Sequence, residues 1–162
     1  MRHVIVFFAI GLAGVFVCVT GVNLPEMVAS HFDAAGAANG FTPRATYLGT
    51  MLLLVTLLPI ALGLAGRVVA VLPTRFVNLP NAEFWLAPER KAATLRSLSA
   101  FLVVPSLLTC ALICFVHALT VRANALQPAH LSTPAITAAL GASLVATLIW
   151  LFMLWRRFTR LD

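Results

Sequence analysis

Residues 24–44 read LPEMVASHFDAAGAANGFTPR and separate two long apolar runs, residues 4–22 and 47–66. The polar stretch holds acidic, basic and turn-forming residues, whereas neither run contains Asp, Glu, Lys or Arg. A helix needs about 20 mostly apolar residues to cross a hydrocarbon core of about 30 Å, so each run predicts a transmembrane helix. Residues 24–44 are then the loop that joins the first two spans.

Two further apolar runs, residues 98–121 and 134–155, are also free of charged residues. The chain has 162 residues, of which 61% are hydrophobic and 10% are charged, whereas a soluble domain carries about 25% charged residues. An isolated span in lipid must be helical to pair its backbone polar groups. We therefore predict an all-α integral membrane protein, one domain over residues 1–162, with four transmembrane helices and short loops.

The basic residues lie on one side of this four-span arrangement. With four spans, both termini and the connection 67–97 share a side, and the loops 24–44 and 122–133 share the other. Eleven Lys and Arg residues divide nine to two, and the larger group is Arg2, Arg67, Arg75, Arg90, Lys91, Arg96, Arg156, Arg157 and Arg160. Because cytoplasmic loops carry an excess of Lys and Arg, both termini are predicted to be cytoplasmic. The net charge of +6 then indicates contact with anionic lipid rather than nucleic acid.

The loop 24–44 allows two local conformations. The sequence NLPE at residues 23–26 supplies a helix cap, a first-turn proline and a glutamate, which favours a short helix. An extended chain with Val28, Ser30 and Phe32 on one face fits equally well. Asn39-Gly40 predicts a turn, since both residues accept positive φ.

The segment LPEMVASHFDAAGAANGF resembles the signature of a bacterial membrane family of unknown function, whose domain also occurs in SdpI-type toxin-immunity proteins. The residues that carry the resemblance are Pro25, His31, Phe32, Asp33 and Gly36. The later stretch NLPNAEFWLAPER, residues 78–90, is similar to small stand-alone members. The resemblance implies a four-span protein of the bacterial inner membrane and no particular chemistry, while its SdpI branch implies toxin binding and signalling.

The connection 67–97 is predicted to lie along the cytoplasmic headgroups, because its aromatic residues alternate with polar ones. Pro88 opens a helix that should continue directly into the third span. The residues we expect to anchor the protein at the lipid interface are Trp85, Arg90, Lys91, Trp155, Arg156 and Arg157.

Cys110, Cys114 and His117 share one face of the third span, and Cys18 lies at a comparable depth in the first. Thiolates and imidazole bind Cu(I) or Zn, but cysteine is also a common small apolar residue in packed helices. No second metal motif accompanies these residues, so we interpret them as packing and predict no metal and no cofactor. No nucleophile–base pair occurs either, so no catalytic residue is predicted.

One polar cluster is predicted outside the membrane. A titratable group within a span raises the expectation of function, and His117 lies near the outer boundary of the third span. The loops beside it supply further polar residues, and the set predicted to bind a ligand or partner is His31, Asp33, His117, Arg122 and Asn124.

Two functions follow from these patterns. The first is a small non-catalytic protein of the bacterial inner membrane whose outer loop binds a partner, peptide or ligand, in the manner of an immunity protein or sensor. The second is an accessory subunit packed against a larger membrane enzyme or transporter complex, with small residues Ala138, Ala142 and Ala146 forming a ridge for close packing. Membrane lipids and either a protein partner or a second copy are the expected partners.

The charge distribution makes the topology testable. Reporter fusions after Asn39 and after Asp162 should read as outside and inside the cell respectively, because the nine-to-two distribution of basic residues orients the spans. A phosphatase that is active only outside and a fluorescent protein that folds only inside give opposite signals at each site. The reverse pattern would place the loop 24–44 in the cytoplasm.

Overall fold

The computed structural model describes residues 2–160, and side chains from residue 4 onward. The side chain of Arg2, one of the nine basic residues on the predicted cytoplasmic side, lies outside this description. In chain order the elements are α1 (Arg2–Gly21), β1 (Met27–Phe32), β2 (Ala38–Pro43), α2 (Arg44–Val71), a 3₁₀ turn (Thr74–Phe76), α3 (Ala82–Trp85), α4 (Pro88–Phe101), α5 (Val103–Asn124) and α6 (Thr133–Thr159).

Four helical segments are long and apolar enough to cross a membrane, as the sequence predicts. They are Val4–Gly21, Arg44–Val71, Pro88–Asn124 and Thr133–Thr159. The third combines α4 and α5, which confirms that the helix opened by Pro88 continues into the span. The prediction of an all-α fold needs one correction, because residues 27–43 form a two-stranded antiparallel hairpin.

Helices α1, α2 and α5 pack against one another, and α6 packs against α5. Val6, Ala13, Val55 and Cys110 are buried in the middle of the three-helix group. We call the side with β1, β2 and the connection 125–132 the hairpin end, and the side with residues 72–87 and the last turn of α6 the terminal end. Helix α6 is peripheral, since its most apolar window holds no buried residue.

Two prolines interrupt the backbone hydrogen bonds of the bundle. Pro59 and Pro105 lack the N–H that would bind the carbonyl four residues earlier, at Val55 and Phe101. Trp150 Nε1 of α6 donates to the Phe101 carbonyl at 2.8 Å, and Cys110 Sγ lies 3.9 Å from the Val55 carbonyl. Neighbouring helices therefore supply hydrogen-bond donors to both freed carbonyls, as is required where water cannot do so.

The break between α4 and α5 at Leu102 coincides with the backbone hydrogen bond that Pro105 interrupts.

The hairpin settles the choice between the two conformations of residues 24–44 in favour of the extended one. Its turn differs from the predicted one. Asp33 Oδ1 accepts hydrogen bonds from the amides of Ala35 and Ala37, each at 2.9 Å, and Gly36 takes the positive φ of 94°. The expected Asn39-Gly40 turn was wrong: these residues lie within β2, and Gly40 is required because a Cβ there would lie 2.9 Å from His31 Cβ.

The terminal end is organised around Trp85. Its side chain is 8% exposed and packs with Leu98 and Phe158, and its Nε1 donates to the Phe158 carbonyl at 2.8 Å. Trp85 is therefore held by protein contacts rather than at the surface where a lipid anchor was expected. Among the other predicted anchors, Arg90 lies 4.0 Å from the Phe84 ring centroid and Trp155 is 56% exposed.

Replacing Trp150 with Phe should lower the free energy of unfolding by about 1 kcal/mol, because the Phe101 carbonyl loses its donor. Trp155→Phe is the matched control, since it makes the same chemical change on the same helix at an exposed position. Both variants can be measured by chemical unfolding in detergent micelles. Equal effects of the two substitutions would contradict a special role for the Trp150 hydrogen bond.

Candidate functional site

The register of the two strands determines which backbone N–H and C=O groups bond across the hairpin and which point away from it. Met27 pairs with Pro43, Val28 with Thr42 and Ala29 with Phe41. The amide of Arg44 donates to the Glu26 carbonyl at 2.8 Å, and hydrogen-bonded and non-hydrogen-bonded pairs alternate along an antiparallel ladder. Val28–Thr42 is then a hydrogen-bonded pair. Met27–Pro43 and Ala29–Phe41 are non-hydrogen-bonded pairs, so the missing N–H of Pro43 costs the ladder nothing.

The outer edge of β1 is closed by Asn124 at the end of α5. Its Oδ1 accepts from the Ala29 amide at 2.8 Å, and its Nδ2 donates to the Ala29 carbonyl at 3.0 Å. The same Nδ2 donates to the Thr120 carbonyl at 2.9 Å. One amide side chain thus occupies both outward groups of Ala29, as a neighbouring strand would.

The outer edge of β2 is open at Phe41. Since Phe41 faces Ala29 in a non-hydrogen-bonded pair, its N–H and C=O point away from β1. No residue that the structure describes donates to or accepts from these two groups. The Phe41 side chain is 57% exposed. The same edge is paired at Ala38, whose amide donates to the Ala129 carbonyl at 3.4 Å. An aromatic side chain and a free donor–acceptor pair therefore lie together in the unpaired part of the edge, which is a template for strand pairing.

The hairpin is fastened to the helices at its base and its tip. At the base, Arg44 Nη1 donates to the carbonyls of Leu24, at 2.8 Å, and Val22, at 3.1 Å, and Val28 is fully buried. At the tip, the Leu131 amide donates to the Gly36 carbonyl at 2.8 Å. Because a Cβ on Gly36 would overlap the Leu131 carbonyl oxygen, this contact requires glycine.

His117 is fully buried between three helices. Its Nε2 lies 2.9 Å from Thr20 Oγ1 and its Nδ1 lies 2.9 Å from the Tyr47 hydroxyl. Thr20 uses its only hydroxyl proton toward the Phe16 carbonyl at 2.6 Å, so we assign the imidazole proton to Nε2 and make Nδ1 the acceptor from Tyr47. The neutral ring thereby joins α1, α2 and α5 with both nitrogens occupied.

The five residues predicted to form one outer cluster serve different contacts. His117 and Asn124 make the interior hydrogen bonds described above. His31 is exposed, with Nδ1 3.1 Å from Ser30 Oγ, and Asp33 forms the hairpin turn. Arg122 is exposed. These residues hold or flank the hairpin, and the open strand edge is a separate feature.

Sequence reasoning missed Thr20 and Tyr47 as partners of His117, and it placed Phe41 in the outer loop without identifying a binding edge there. Tyr47 is the one tyrosine of the chain and begins the apolar run of the second span, which was a signal that its hydroxyl has a partner near the interface. The open edge at Phe41 had no signal, because it depends on the strand register.

The cysteines do not form a ligand set in the described part of the chain. Among residues 4–160, no three His, Cys, Asp or Glu side chains converge in a way that could hold a metal ion. Cys110 is buried, whereas Cys18 is exposed on α1. The Cys110 thiol is directed to the Val55 carbonyl freed by Pro59.

Four helical segments have the length and hydropathy that indicate a multi-pass membrane protein, and a β-hairpin is fastened to one end of them. Comparison with family models, with curated proteins and with solved structures finds no match to this chain.

Replacing Asn124 with Ala should lower the free energy of unfolding by about 1–3 kcal/mol, because the buried N–H and C=O of Ala29 are left unpaired. Arg122→Ala, two residues away and exposed, should change it by less than about 0.5 kcal/mol. Hydrogen exchange at the Ala29 amide should quicken only in the Asn124 variant. Unchanged exchange there would contradict the closure of the β1 edge by Asn124.

Proposed function

We propose that this chain is a non-catalytic protein of the bacterial inner membrane whose hairpin faces outward and binds an extended segment of a partner protein along β2. The observation that carries the proposal is the open edge at Phe41, where a free N–H and C=O lie beside a 57% exposed aromatic ring. Strand addition uses such backbone groups for affinity and neighbouring side-chain positions for specificity.

The surroundings of β2 support this mode of binding. The strand Ala38–Pro43 alternates half-buried and exposed residues, so Asn39 and Phe41 are presented on one face. Pro43 limits the length of the edge, since it has no N–H to offer. Because the hairpin is fastened at both its base and its tip, a partner would meet an edge that is already ordered, which reduces the entropy lost on binding.

The distribution of basic residues supports the outward orientation proposed for the hairpin. The terminal end holds eight of the ten Lys and Arg side chains that the structure describes, and the hairpin end holds Arg44 and Arg122. This distribution supports cytoplasmic termini and an exposed hairpin. An outward-facing strand edge would suit the recognition of an extracellular polypeptide, as in an immunity protein or a sensor.

Two substitutions of Phe41 distinguish the contribution of its side chain to partner binding from that of its backbone N–H. Phe41→Ala removes the ring and keeps the N–H, whereas Phe41→Pro removes both without breaking a β1–β2 hydrogen bond. We expect Phe41→Ala to reduce the co-purified partner, and Phe41→Pro to reduce it by about a further fivefold, the worth of one hydrogen bond. The measurement is mild-detergent purification of the tagged protein at native abundance with quantitative mass spectrometry.

Phe76→Ala is the control, because Phe76 is an aromatic residue of similar exposure at the terminal end. Membrane abundance of every variant should equal that of the wild type. A partner retained by both Phe41 variants would contradict binding at this edge. If the same partner were lost instead on replacing exposed Ala142 with Leu, the accessory-subunit function would be favoured, because the peripheral α6 presents that residue.

A further inference from the structure

A concave site lies at the terminal end of the molecule, away from the hairpin end. It is a cavity of about 450 Å³ between the end of α4 and the last turns of α6. Its lining residues are Phe101, Met153, Arg156, Arg157 and Arg160. The lining therefore combines two apolar side chains with three guanidinium groups, and no carboxylate occurs among the described lining residues.

The fold positions the lining residues of both helices. Phe101 of α4 is held to α6 by the hydrogen bond from Trp150 Nε1 to the Phe101 carbonyl. Arg156 and Arg160 are four residues apart in sequence at the end of α6. The Arg157 guanidinium carbon lies 4.8 Å from the Trp85 ring centroid and 5.6 Å from that of Phe158, so aromatic contacts orient this side chain.

The end of a helix normally disfavours an anion, because its last carbonyls carry partial negative charge. Here the Phe158 carbonyl accepts hydrogen bonds from Trp85 Nε1 at 2.8 Å and Asn81 Nδ2 at 3.1 Å. These donors offset part of the negative charge. Among the described residues that line the cavity, the three arginines are the only charged groups, and a phosphate group matches the geometry of guanidinium donors.

The exposed apolar residues beside the arginines favour a phospholipid as the source of the phosphate group. Met153 is 55% exposed and continues into the exposed apolar side chains Ile149 and Phe152 of α6, which are 55% and 56% exposed. A phosphate whose glycerol ester bears acyl chains can lie in the cavity while its chains follow α6. We propose that this cavity binds the phosphate headgroup of an anionic phospholipid, a site independent of the function proposed for the hairpin.

The test compares two double variants of equal charge. Arg156→Gln/Arg160→Gln removes two cavity arginines and leaves the Arg157 aromatic contacts intact. Arg67→Gln/Arg96→Gln removes two exposed arginines that do not line the cavity. Native mass spectrometry of the detergent-solubilised full chain, titrated with phosphatidylglycerol or phosphatidylcholine, gives the affinity for each lipid.

We expect the wild type to prefer phosphatidylglycerol over phosphatidylcholine, the cavity variant to lose at least about tenfold in affinity for phosphatidylglycerol, and the control to change less than about twofold. Equal losses in both variants, or equal affinity for the two lipids, would overturn the proposal. Displacement of the lipid by millimolar inorganic phosphate would show a site for free phosphate instead.

Discussion

Pairing of backbone polar groups away from water is the constraint on which this structure depends. Where the chain is regular, the helices meet the constraint themselves; where Pro59 and Pro105 interrupt it, side chains from other helices supply donors. Ser106 also contacts two helix carbonyls, since its hydroxyl lies 2.8 Å from the Leu102 carbonyl and 3.2 Å from the Pro59 carbonyl. Among the described residues, no buried side-chain nitrogen or oxygen lacks a hydrogen-bond partner. The same contacts between helices therefore both pack the helices together and pair their free carbonyls.

The polar residues within the apolar helices also pair with other polar groups away from water. His117 and Asn124 stand out in the sequence because polar groups in a span are costly. In the fold, each joins elements that are distant along the chain: His117 links α5 to Thr20 and Tyr47, and Asn124 links α5 to Ala29. Their cost is offset by complete hydrogen bonding, and the result is a hairpin whose position relative to the helices is fixed.

The helical framework was predictable from sequence because it depends on local composition: four charge-free runs and the first-turn Pro88. The hairpin could not be predicted uniquely, because the helix-start signals at residues 23–26 and the alternation of residues 28–32 favour different conformations. The strand pairing that decides between them is not a local property of the sequence. Asn39-Gly40 misled for a different reason, since Gly40 serves a close cross-strand contact rather than a turn. The contacts of His117 span up to 97 residues, and no local pattern encodes a partner at that separation.

The junction of β2 and α2 has a mechanical consequence. The strand ends at Pro43 and the helix begins at Arg44, with no linker between them. A pull on the hairpin would therefore load α2 directly, and a helix of 28 residues extends about 42 Å at 1.5 Å per residue. Force on the hairpin would thus be transmitted along α2, from the hairpin end toward the terminal end of the molecule.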